Sequence, residues 1–83
     1  MQEAEVRAKL RAFITKELIR NASYPLDDAE GVCSSGLIDS FALAEIGVFA
    51  EQEFGVYIPD PDLTVAKMDT LNLMVARILR DNR

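Results

Sequence analysis

In three stretches of the 83-residue chain, apolar side chains recur every third or fourth position, and this periodicity constrains the fold more than any other feature. Val6, Leu10, Phe13, Ile14 and Leu18 share one face at about 100° per residue, which predicts an amphipathic helix over Glu3 to Arg20. Glu17 falls inside that arc and Ile19 outside it, so the last turn fits an ideal helix poorly. Asn21, Ser23 and Pro25 stop the helix. A second helix is expected from Asp39 to Phe54. Asp39 suits its N-cap, Ile38 and Leu43 have the spacing of a hydrophobic staple, and Gly55 closes it. A third runs from Asp69 or Thr70 to Arg80 with Leu71, Met74, Val75, Ile78 and Leu79 as its stripe, and its basic end suits the helix dipole. Pro59, Asp60 and Pro61 punctuate the interval, which leaves room for one short turn around Leu63 to Lys67. Gly55 to Ile58 is strand-like, but a lone strand has no partner. The expected fold is all-α: one domain over residues 1–83, a small bundle of three main helices with a short fourth.

Residues 21–38 form a long connection in which Tyr24, Leu26 and Val32 are the expected inward anchors. Structureless loops of this length are uncommon and point to function or mobility. No apolar run approaches a membrane span, and the N-terminus alternates charge with apolar residues unlike a secretory signal. A cytoplasmic monomer is expected.

Chemistry is limited by what the chain lacks. It has no histidine, which removes the commonest general base and metal ligand, and a serine–histidine triad with them. Its one cysteine, Cys33, gives neither a disulfide framework nor a zinc site, and reads as a bystander thiol. Asp60-Pro61-Asp62 opens like a calcium loop, but Val65 and Leu71 stand where such a loop needs glycine and glutamate. The net charge is −5, and no Lys or Arg occurs from Asn21 to Ala66, a stretch that carries nine carboxylates. This repels phosphate backbones and anionic lipid, so neither nucleic acid nor a membrane is an expected partner; basic protein surfaces are.

The second helix has two apolar arcs. Ala42, Leu43, Ile46, Phe49, Ala50 and Phe54 should face the core. Phe41, Ala44, Glu45, Val48, Glu51 and Gln52 lie opposite. Either the helix is buried almost all round, or the second face is a docking surface with an apolar centre and an acidic rim. In a chain this small the second is favoured. At the head of the helix Gly36-Leu37-Ile38-Asp39-Ser40-Phe41 sets a serine hydroxyl in the first turn, beside a capping carboxylate. The positive helix end tolerates an added phosphodiester, but the chain offers no base, so any chemistry at Ser40 must be supplied by another protein.

The chain resembles the free-standing (type II) acyl and peptidyl carrier proteins. The likeness covers nearly its whole length and is sharpest over Gly36-Leu37-Ile38-Asp39-Ser40-Phe41-Ala42-Leu43-Ala44-Glu45 and Glu51-Gln52-Glu53-Phe54-Gly55-Val56-Tyr57-Ile58-Pro59. The resemblance implies an acyl-carrier-protein-like bundle that is not itself an enzyme. It implies that Ser40 receives 4′-phosphopantetheine from coenzyme A through a phosphopantetheinyl transferase. The arm's thiol would then carry an acyl or aminoacyl thioester, loaded by a ligase and delivered to downstream acyl-transferring or synthase enzymes of fatty-acid or secondary-metabolite biosynthesis. Asp39 would cap the helix beside the site, and Phe41, Glu45, Val48 and Glu51 would be read by partners. The chain departs from the family pattern at Phe41, where leucine or methionine is usual. It also departs at Ala42, where fatty-acid carriers often have an acid, and at Gln52 between Glu51 and Glu53. Met68-Asp69-Thr70-Leu71-Asn72 is similar to the Trp-Asp-Thr-Pro-Asn stretch of D-alanyl carrier proteins. The competing expectation is a small acidic helical adaptor that binds basic proteins and is never modified.

Overall fold

The computed structural model describes residues 2–81. Four helices follow one another: α1 (Glu3–Phe13), α2 (Ala42–Phe54), the short α3 (Val65–Met68) and α4 (Leu71–Asp81). No strand occurs among the described residues. Gly55–Ile58 is extended, with Val56 and Ile58 buried and Tyr57 pointing out. One contiguous core takes Val6, Leu10 and Ile14 from the first helix, Leu43 and Ile46 from the second, and Leu71, Met74, Val75 and Ile78 from the last. Helix α1 packs on α4, and α3 on α4.

The first helical segment does not run regularly to Arg20. It widens into a π-helical turn at Ile14–Leu18, closed by the bond from Ile19 N to Ile14 O at 2.8 Å. The widening removes the conflict in the sequence pattern. An extra residue per turn carries Glu17 out of the apolar arc to the surface and brings Ile19 round, half-buried, against the core beside Leu18. Thr15 becomes buried, and its hydroxyl donates back to Arg11 O at 2.8 Å. The segment ends at Arg20, whose φ of 63° is left-handed.

The connection over residues 21–38 is irregular but anchored. Leu26 and Val32 are buried and Tyr24 is half-buried, its hydroxyl donating to Glu30 Oε2 at 2.5 Å. Two backbone bonds stitch it to the start of α4: Asn72 N to Asp28 O at 3.1 Å, and Val32 N to Asp69 O at 2.8 Å.

Helix α2 begins its regular ladder at Ala42 rather than at Asp39. Residues 39–41 form a tighter turn with bonds from Ala42 N, Leu43 N and Ala44 N to the carbonyls three residues back. Gly55 ends the helix with φ 70°, a conformation that a Cβ would disfavour, and its N–H donates to Glu51 O. Phe49 and Phe54 do not enter the core. They are half-buried at its edge, where Phe49 stacks on Phe13 at 4.3 Å and meets Phe54 edge-on at 5.7 Å. The turn expected around Leu63 to Lys67 becomes a 3₁₀ turn at Asp60–Asp62 followed by α3. Thr70 caps α4 by accepting from Leu73 N at 3.1 Å.

Candidate functional site

Ser40 lies exposed in the turn that opens α2, and its hydroxyl makes no hydrogen bond among the described residues. The neighbouring carboxylate is engaged: Asp39 Oδ1 accepts from Ala42 N at 3.1 Å, so Asp39 caps the opening turn and not α2 itself, whose N-cap position is Phe41, without a side-chain cap bond. Ile38 and Leu43, the staple pair, are both buried in the core. The serine therefore stands on a turn fixed by a cap on one side and a core anchor on the other. A polar cleft of about 310 Å³ opens beside it, lined by Arg20, Leu37, Ile38, Asp39, Ala42 and Glu45 among others.

The loop before Ser40 is held by a residue remote in sequence. Asp69, between α3 and α4, accepts at Oδ1 from Cys33 N (2.9 Å) and Ser34 N (3.0 Å), and at Oδ2 from Ser34 Oγ (2.6 Å). Burial alone would push the Asp69 carboxyl up, but the Ser34 hydroxyl and the Ser34 and Cys33 amides outweigh it and hold it below the usual aspartate range. Gly31 makes the approach possible. A Cβ there would lie 2.6 Å from Asp69 Oδ2 and would overlap Ser34 Oγ. From this knot Ile38 N returns to Val32 O at 3.0 Å, and the chain enters Asp39 and Ser40.

Cys33 is half-buried, with Sγ 3.8 Å from Asp39 O. Burial, with Asp69 and Asp39 adding, raises its pKa, the opposite of what a nucleophilic thiol needs. No group of carboxylates and thiol suited to a metal ion is present among the described residues.

The second face of α2 is open along its length. Phe41 is 85% exposed and Val48 54%, and Ala44, Glu45, Glu51 and Gln52 are exposed too. Burial on both faces is thereby excluded. The four expected docking residues share a side of the helix but not one groove. Glu45 and Val48 line a groove of about 280 Å³ with Phe13, Phe49 and Gln52, whereas Val48 and Glu51 line another of about 170 Å³ with Tyr57, Ile58 and Leu63 among others. Phe41 stands at the head of the helix, beside Ser40. Tyr57, 63% exposed, adds to this side an aromatic outside the four expected docking residues. The period-two alternation of Val56, Tyr57 and Ile58 was its signal. Asp69 stood out in the sequence only at the head of the third helix; its role as a tether had no local signal, because its partners are 35 and 36 residues away.

The folded chain also redistributes its charge. Asp28 pairs with Arg7 and Arg11, Glu53 with Lys9 at 3.0 Å, and Asp62 with Lys67, Arg77 and Arg80. The basic terminal segments thus neutralise three of the nine central carboxylates, and no ion pair among the described residues involves Glu45 or Glu51. Comparison of the chain with protein-family models and with curated proteins finds no match to either. No helix among the described residues is long and apolar enough to cross a membrane.

Proposed function

We propose that the protein is a carrier rather than an enzyme. Its Ser40 accepts a 4′-phosphopantetheine arm from coenzyme A, and the arm holds an acyl or aminoacyl group as a thioester. The observation that carries this reading is the exposed, unengaged Ser40 hydroxyl on a turn held by the Asp39 cap. In the transfer the Ser40 Oγ–phosphorus bond forms as the P–O bond of the coenzyme's pyrophosphate breaks, and the adenosine bisphosphate half leaves. The hydroxyl proton passes to a base of the transferase. The positive end of α2 favours the phosphodiester that results. Phe41, Glu45, Val48 and Glu51 serve as the surface by which the transferase, a loading ligase and downstream acyl-transferring enzymes dock, in the cytoplasm. An exposed aromatic anchor with unpaired acids beyond it supports this role.

The test is intact mass after incubation with coenzyme A and a broad-specificity phosphopantetheinyl transferase. A gain of one arm per chain supports the carrier reading. A folded protein that takes up none overturns it. The exposed apolar face of α2 then favours an unmodified adaptor for basic proteins.

A further inference from the structure

Arg7 and Arg11 hold the first part of the connection at Leu26 and Asp28, and over residues 29–39 the only long-range side-chain tether among the described residues runs from Asp69 to Cys33 and Ser34. Three features of it go beyond ordinary loop packing. First, one carboxylate takes two successive backbone amides and a hydroxyl, the arrangement that fixes a turn's orientation as well as its position. Second, the Asp69 backbone carbonyl takes a further amide, that of buried Val32, so side chain and main chain hold the same turn. Third, the approach requires a residue without a side chain at position 31. The turn then passes its orientation on through Ile38 N to Val32 O, and from buried Ile38 to the Asp39 cap and Ser40.

We propose that Asp69 is a positioning residue for modification at Ser40. By clamping residues 32–34 to the α3–α4 junction, it presents the serine hydroxyl already ordered to the transferase. This deepens the carrier reading and rests on it for its kinetic consequence. With the clamp intact, the transferase meets a preorganised turn. With it cut, ordering the loop is charged to binding, so KM rises while kcat changes little.

The test compares wild type with Ser34→Ala, Asp69→Asn and Asp69→Ala, all at a temperature where circular dichroism shows the variants folded. Ile78→Val, in the core on α4, serves as a destabilised control away from the loop. Asp69→Ala should raise KM for the carrier by roughly tenfold. Ser34→Ala should do so by less, and Ser34→Ala combined with Asp69→Ala should be no worse than Asp69→Ala alone, because the one bond that Ser34→Ala removes is among the three that Asp69→Ala already removes. Amide hydrogen exchange should quicken at Ile38 and Ala42, whose bonds lie downstream of the clamp, as well as at Cys33 and Ser34. Unchanged KM in folded Asp69→Ala, or an effect equalled by Ile78→Val, overturns the proposal. If the wild type takes up no arm, the carrier reading fails by itself and exchange decides the clamp. Quickening confined to Cys33 and Ser34, with Ile38 and Ala42 unaltered, makes Asp69 a local turn residue only.

Discussion

At the scale of single residues, Asp69 and Asp62 make the fold sensitive to acid. Hydrogen bonds from Lys67 and Arg77 lower Asp62, and those from Ser34 and Cys33 lower Asp69 against the effect of burial. A carboxylate depressed in the folded state contributes stability that is present above its unfolded pKa and lost as pH falls through its folded one. Melting temperature should therefore fall as pH drops below about 4. Asp69→Asn should flatten that fall, since asparagine cannot titrate; parallel curves would show that Asp69 contributes nothing there. Cys33, with its pKa raised by partial burial, should be slow to alkylate at neutral pH. Cys33→Ser should leave folding and modification unchanged, and loss of modification would give the thiol a role that its environment does not support.

At the scale of elements, α2 separates core from contact surface. Ile46 is fully buried, and Ile46→Ala should cost about 2–5 kcal/mol in chemical denaturation. Phe41 is 85% exposed, and Phe41→Ala should change stability by no more than about 0.5 kcal/mol. The same variant should weaken transferase binding by about 1–3 kcal/mol, mainly through faster dissociation and with little dependence on salt. Reversing Glu45 and Glu51 to Lys should instead slow association, less so at high salt. If Phe41→Ala destabilised the chain as Ile46→Ala does, Phe41 would belong to the core. The helices themselves were legible because each carries an apolar stripe of the right period, from Val6 to Leu18 and from Leu71 to Leu79. The π turn was visible only as a discrepancy, Glu17 inside the stripe and Ile19 outside it, because periodicity assumes a constant 3.6 residues per turn. Phe49 and Phe54 were placed on the core side by angle, and they do pack against the core, but only half-buried at its edge.

At the scale of the molecule, the linear charge map overstated the repulsion. Asp28, Glu53 and Asp62 meet cations from the terminal helices, contacts that a sequence cannot show before it folds. The pairs at Glu53 and Asp28 are largely exposed and contribute little, Asp62–Arg77 is more sheltered, and the net charge remains −5. The melting temperature should still rise from low to moderate salt as the remaining carboxylates are screened. A melting temperature that falls would show that the ion pairs outweigh the repulsion. The Ser40 turn was legible from Asp39, Ser40 and Ile38, all local to the cap. The clamp that steadies it was not, because it joins residues 31–34 to Asp69 through tertiary contact alone. The central claim concerns Ser40, and peptide mapping after treatment with coenzyme A and transferase tests it most directly. The arm should be found on the peptide bearing Ser40, and Ser40→Ala should keep its helical circular dichroism while gaining no mass. An arm mapped to Ser34 or Ser35, or still acquired by Ser40→Ala, would contradict it.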